Sequence, residues 1–368
     1  MKGKKSVIFI TGLLFFVIFQ SFNFADTDPV LKKKEMRFLS INDEMKDFAE
    51  NNLSGIIGQR EKLIKLISSL HDRTKLGFKY SNLRTYTAEE TFKNRSGNCL
   101  SYTAMFIVLA RHAGLSANFQ EVFDFSDWSR KDNVMVFSRH MNAIVKIDDK
   151  KVEVDFRYQS ENRFLYRMVV SDKRAEAHYY NNLGAEALML KKYKLAESLF
   201  NRGIGNDRKF SLVWSNLGVL YQHINKIKLA EKTYNKAIKL DKTNYSAKLN
   251  LSNLYIETGR NLKGKQLQNN IKRYLKKNPY YHFSLGKIAY EKGLFEEAKK
   301  HYKRAIRRDS KVPEFFVQLG AVFFKLGNKK FAERYIKKAA KLARSPSELE
   351  LYKKKLNYIY INIKKKKI

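Results

Sequence analysis

The sequence predicts an α+β domain followed by an all-α repeat array, two unlike parts in series. Three observations carry that prediction. A turn-forming stretch, Ser96-Gly97-Asn98, runs directly into an apolar, helix-length segment that begins at Cys99 and closes before Gly114. Apolar and polar residues alternate on both sides of Asp148-Asp149, which is the pattern of a strand hairpin. From about residue 177 the chain adopts a strict 34-residue recurrence, the mark of a stacked repeat.

In chain order, Met1-Lys2-Gly3-Lys4-Lys5 is basic, and an apolar run follows from about Val7 to Phe19. Residues 1–25 read as a secretory signal with Ala25 at the cleavage position. The run is short for a membrane span. An uncleaved N-terminal anchor is the alternative, because Asn23 stands where a small residue is expected. Residues 26–170 form the first domain. Ile41 to Phe48 and Leu63 to Leu70 carry apolar residues at helical spacing and predict helices that pack on the segment beginning at Cys99. His71, at the end of the second, reads as a capping or surface residue.

Cys99 is the single cysteine of the chain. A lone cysteine commonly serves as a small buried hydrophobe. Its position suits a nucleophile better. The first turn of a helix offers the positive end of the macrodipole, which favours thiolate, and unpaired backbone N–H groups that suit an oxyanion. Asn94 and Asn98 are candidates for a further oxyanion donor, with helix capping as the alternative role for each. A thiol nucleophile needs an imidazole, and usually a third group to orient it. If Ile147 pairs with Lys150 across a two-residue turn, Asn142 lies opposite Asp155 and His140 lies diagonal to it on the same face. A turn of odd length would separate them. His112, thirteen residues after Cys99, points away from it at 100° per residue.

Cys99 at a helix start, His140 on one strand and Asp155 on the next resemble the transglutaminase-like fold, a relative of the papain-type cysteine proteases. The flanking words agree: Thr87 to Phe92 ahead of Arg95-Ser96-Gly97-Asn98-Cys99-Leu100-Ser101-Tyr102, Leu109 to Leu115 behind, then the histidine strand and Val154-Asp155-Phe156. The resemblance covers roughly residues 60 to 160. It implies thiol chemistry on amide bonds, by hydrolysis or by acyl transfer to an amine, with Cys99 as nucleophile, His140 as base then acid, and Asp155 as orienter. Met141-Asn142-Ala143 follows His140 where active relatives often carry an aromatic residue. Some members of the family are degenerate and only bind.

In the second part Leu recurs at 183, 217, 251, 285 and 319, and Gly at 184, 218, 286 and 320, with Ser252 in the third copy. Ala occupies 196, 230, 298 and 332, with Gly264 in the third copy, where Lys248 also replaces a large apolar residue. Large aromatics such as Trp214, Tyr234 and Tyr302 recur in phase. This pattern matches the tetratricopeptide repeat and implies five helix pairs over 171–346, with repeats starting near 177, 211, 245, 279 and 313, stacked as a solenoid. Residues 347–368 read as a capping helix and a basic tail.

The chain is +37, and the charge is uneven. Residues 177–368 hold 44 Lys and Arg against 14 Asp and Glu, about +30 of the total. Such asymmetry implies an anionic partner, although lysine-rich usage that merely solvates outer helix faces produces the same count. For an exported protein that partner is an acidic protein or peptide in the repeat groove, or an anionic membrane surface, rather than nucleic acid. There is no phosphate-loop, HExxH or Cys-x-x-Cys pattern, so no cofactor and no metal are expected. His178, His223, His282 and His301 fall far apart in repeat helices and read as structural or exposed. The function expected is an exported thiol enzyme whose repeats recruit a protein substrate. The alternative is a non-catalytic envelope scaffold that binds partners through both parts.

Overall fold

The computed structural model describes residues 37–81, 84–131, 134–155, 165–343 and 346–364. The signal-like segment 1–25, Phe156 and the last lysines of the tail lie outside them. The chain forms two compact units. The first comprises residues up to Phe123 with Arg139–Tyr158 and Arg167–Leu267, and the second comprises the remainder.

In the first unit, helices α1 (Asp43–Leu53) and α2 (Gln59–His71) bring Met45, Leu66 and Leu70 into one core with the later helix α4 (Cys99–His112). Twelve consecutive residues of α4, Cys99 through Ala110, are buried, so this helix is apolar all round because protein surrounds it. The approach to α4 is tightly built. Strand β1 (Lys79–Tyr80) pairs in parallel with β2 (Ser96–Gly97). Between them α3 (Ala88–Asn94) starts at a Thr87–Glu90 capping box and ends at Arg95, whose φ of 48° turns the chain back. A Cβ on Gly97 would lie 2.7 Å from the Ser101 Cβ, which explains the glycine two residues before the cysteine.

A four-stranded sheet follows, in the order β5-β4-β3-β6. Its strands are β3 (Ser116–Lys131), β4 (Val134–Ile147), β5 (Lys150–Val154) and β6 (Leu165–Val170). Strands β4 and β5 are antiparallel with Ile147 opposite Lys150 and Ala143 opposite Val154, the register expected from the two-residue turn. Asp148 supplies the positive φ, 52°, that the turn needs.

Helix α5 (Asp172–Met189) begins five residues before the 34-residue period, and those extra residues tie it to the sheet. Arg111 of α4 forks onto Asp172 at 2.7 and 2.9 Å. Glu121 of β3, fully buried, accepts hydrogen bonds from Arg174 Nε at 2.7 Å and lies 2.8 Å from His178 Nε2. Arg174 also reaches Asp207 at 2.7 Å and lies 4.1 Å over the Phe210 ring. A buried carboxylate is tolerable only with such partners.

The pairs α5 with α6 (Tyr193–Asn206), α7 (Ser211–His223) with α8 (Ile227–Leu240), and α9 (Tyr245–Glu257) with α10 (Asn261–Lys277) follow. Recurrent glycines let aromatic rings lie against the partner helix backbone: a Cβ on Gly218 would meet the buried Tyr234 ring at 2.5 Å. In the third pair the small residues differ, and the Ser252 hydroxyl instead donates to the Gly264 carbonyl at 3.0 Å.

The second unit contains α11 (Pro279–Glu291), α12 (Phe295–Arg308), α13 (Pro313–Lys325), α14 (Lys329–Lys341) and α15 (Pro346–Lys364). Its core joins Tyr302, Phe315, Val322 and Ile336, with Tyr352 of α15 buried against them. Among the described residues no helix is long and apolar enough to cross a membrane.

Because the Tyr234 ring has no free space, Gly218→Ala should destabilise the folded chain by about 1–3 kcal/mol. Chemical denaturation of the two proteins side by side reads this; an unchanged midpoint would mean that the helices part without cost.

Candidate thiol site

The local sequence explains how Cys99 comes to open a helix. Asn98 is its N-cap: the side-chain Oδ1 accepts from the Ser101 backbone N–H at 3.0 Å. The amide of the same side chain donates to the Thr85 hydroxyl at 2.9 Å. Thr85 in turn donates from its backbone N–H and its hydroxyl to Glu186 Oε1 of α5, at 3.0 and 2.9 Å. The first repeat helix is therefore wired to the residue that precedes the cysteine. The Asn98 oxygen caps the helix, and its amide nitrogen holds Thr85. Asn94 is exposed at the end of α3, outside this arrangement.

Cys99 is 3% exposed and forms no disulfide. His140 is 5% exposed on β4, and its Nε2 lies 2.8 Å from both carboxylate oxygens of Asp155, just past the end of β5. Asn142 supports the arrangement by donating to Glu153 at 2.5 Å and more weakly to Asp155 at 3.4 Å. The second imidazole nitrogen, Nδ1, is buried without a hydrogen-bond partner among the described residues. The Cys99 charge also acts on the ring.

Burial disfavours the charged imidazole, yet the Cys99 charge and the Asp155 hydrogen bond outweigh it and push its pKa up to about 9. The coupling is reciprocal, so a protonated ring favours a thiolate.

Thr103 fixes the helix against the strand. Its hydroxyl lies 2.7 Å from the Cys99 carbonyl oxygen and 3.2 Å from that of Met141, the residue after His140. Sequence reading passed over Thr103, Thr85 and Glu186, because each works through a partner distant in the chain. The spacing of Thr103 four residues after Cys99, which places both on one helix face, was the available signal for the first. His71, expected as a capping or surface residue, is exposed at the end of α2 and lies 3.1 Å from the Tyr102 hydroxyl. Burial, aided by the Asp155 charge, raises the Tyr102 pKa. His112 pairs with Glu50 at 3.1 Å, away from the thiol. No cluster of three or more His, Cys, Asp or Glu that could hold a metal occurs among the described residues.

A sequence profile of the transglutaminase-like superfamily matches residues 48–156. Profiles described as tetratricopeptide repeat and TPR repeat match residues 211–244 and 286–327. The chain carries a transglutaminase-like domain followed by tetratricopeptide repeats. No curated protein matches it. Solved structures similar to it include YrrB, titled a TPR protein with an unusual peptide-binding site (15% identity, 48% of this chain and 92% of that one, TM-score 0.25). A MamA segment from Desulfovibrio magneticus RS-1 (15%, 48% and 98%, 0.26) and PilF of Pseudomonas aeruginosa (17%, 53% and 88%, 0.28) also match. Cys99, His140 and Asp155 all fall within the transglutaminase-like domain, and Glu186 lies beyond its matched end.

The link from that domain to α5 has a pH signature. Burial pushes the Glu186 pKa up to about 7 against an ordinary 4.5, although its Thr85 hydrogen bonds and Arg84 oppose the shift. The folded state therefore binds more protons between those values, and stability falls as pH rises through that window. Glu186→Gln keeps the acceptor without the charge. Thermal unfolding should find it close to wild type at pH 4 and more stable by on the order of 2–3 kcal/mol at pH 8; equal pH dependence in both proteins would refute the assignment.

Proposed function

We propose that this chain is an exported thiol enzyme that cleaves amide bonds in a protein substrate recruited by its repeats. The observation that carries the reading is the buried His140 imidazole, held 2.8 Å from the Asp155 carboxylate and under the charge of a sulfur at a helix start.

In this reading Cys99, as thiolate, attacks the substrate carbonyl carbon. The carbonyl electron pair moves to oxygen, and the Cys99 backbone N–H helps to stabilise that oxyanion. Protonated His140 gives its proton to the departing amine as the C–N bond breaks, leaving a thioester. Water, deprotonated by the now neutral ring, attacks the thioester, and Cys99 departs as thiolate while the ring is again protonated. Asp155 holds Nε2 and so orients the ring. Hydrolysis is favoured over transfer because water competes with any amine unless the site excludes it. Export rests on the basic-then-apolar beginning of the sequence. The recruited partner is acidic, since about +30 of the charge falls on the repeat half; an anionic membrane surface is a further attraction for the same charge.

A second reading is a non-catalytic adaptor, and the burial of Cys99 at 3% exposure favours it. Iodoacetamide labelling at pH 7 separates the two. The enzyme reading expects Cys99 to react at least tenfold faster than free cysteine. It also expects a rate held level up to about pH 9, where the ring loses its proton. His140→Ala should slow labelling by about tenfold or more. A rate no greater than that of free cysteine, or one indifferent to His140, leaves the adaptor.

A further inference from the structure

Between the thiol helix and the first repeat helix, one line of hydrogen bonds runs in a single direction. The backbone N–H of Ser101 can only donate, so the end of the Asn98 side chain that meets it at 3.0 Å is the amide oxygen. The other end is then the amide nitrogen, which donates to the Thr85 hydroxyl at 2.9 Å. With an acceptor lone pair engaged there, the Thr85 hydroxyl directs its own proton to Glu186 Oε1 of α5, 2.9 Å away. The Thr85 backbone N–H joins it on the same oxygen at 3.0 Å. A carboxylate only accepts. Glu186 is thus the acceptor that ends the line and gives each bond in it its sense.

Thr85, Asn98 and Ser101 are all buried, so bulk water is no substitute acceptor. Without Glu186 the Thr85 hydroxyl can turn toward Asn98 as a donor, where it opposes the amide nitrogen and favours a displaced amide. The cap on the Ser101 N–H then weakens, and the first turn of α4 loses its fixed start. Neighbouring bonds hold the same turn. The Tyr86 backbone N–H donates to the Ser101 hydroxyl at 2.8 Å, and that hydroxyl donates to Asn98 Oδ1 at 3.1 Å. Residues 85 and 86 therefore grip the turn that begins at Cys99, and Glu186 grips residue 85. Arg111 and Asp172 already tie α5 to the other end of α4. The Glu186 line is a second tie, and it ends at the turn that carries the sulfur.

We propose that Glu186 is a positioning residue for Cys99: through Thr85 and Asn98 it fixes where α4 begins, so the thiol site is complete only with the first repeat helix in place. The proposal rests on the reading of Cys99 as a nucleophile, and adds to it a residue outside the transglutaminase-like domain. Glu186 touches no reacting atom. It acts on the place of the sulfur relative to His140 and to the N–H groups of the first turn.

Because Cys99 is the single cysteine, iodoacetamide labelling of the full chain at pH 7 reads this thiol alone. Glu186→Ala removes the acceptor and should slow labelling by about fivefold or more. Glu186→Gln keeps an oxygen that accepts and should bring the rate back to within about twofold of wild type. Thr85→Val takes the hydroxyl out of the middle of the line and should cost as much as Glu186→Ala. The double variant Thr85→Val/Glu186→Ala should be no slower than either alone, since one line is broken only once. Gly218→Ala, destabilised within the second helix pair, should label as wild type does. Equal slowing by Gln and Ala, losses that multiply in the double variant, or a Glu186→Ala rate equal to or above wild type would each overturn the proposal. Equal slowing by Gly218→Ala would reduce the effect to lost stability and overturn it as well. If His140→Ala slows labelling while Glu186→Ala does not, the thiol reading stands and the positioning role falls. If wild type labels no faster than free cysteine, the thiol reading falls and this proposal with it.

Discussion

The point at which helix Cys99–His112 begins constrains everything at the thiol end, and the Asn98 side chain sets it. Its oxygen ends the run of unsatisfied helix donors by taking the Ser101 N–H, and its nitrogen is held by Thr85. If the helix began one residue later, the sulfur would sit at the cap position, outside the first turn. Gly97 allows this start because Ser101 packs where its side chain would be. Thr103 then anchors the same turn to the carbonyl of Met141, so the helix and the histidine strand move as one piece.

The strand side follows a different rule. Side chains alternate across a sheet, so His140 and Asp155 can meet only if the connection between their strands has even length. Asp148 and Asp149 give that length, and the observed pairing of Ile147 with Lys150 transmits it to the site. The ring is then held by an anion on one nitrogen and feels the charge of the Cys99 sulfur. Its raised pKa expresses that surrounding charge, in spite of burial.

Where chain neighbours determine structure, the sequence was readable. The start of α4 was visible in Ser96-Gly97-Asn98, the hairpin register in its alternation, and the helix pairs in the recurrence of Leu217, Gly218 and their equivalents. What escaped depends on contacts between distant residues. Strand β3 alternates from Ser116 to Phe119 and then loses its alternation, because Gln120, Glu121 and Val122 are all buried, with Glu121 bonded to the first repeat helix. That helix starts before the repeat period, and Asp172 and Arg174 in the extra turn bind Arg111 of α4 and Glu121 of β3. The Asn98–Thr85–Glu186 connection spans 101 residues from Thr85 to Glu186 and leaves no local trace.

The fully enclosed Glu121 has a consequence for how these two modules relate. Its counter-ion Arg174 and the nearby His178 come from the neighbouring module, so splitting the polypeptide at the seam would abandon an anion inside protein. The thiol domain and the first repeat helix are joined through buried charge. A swap that exchanged the first helix pair for a generic consensus pair would therefore export its damage to the far side of the junction, into the cradle around the sulfur.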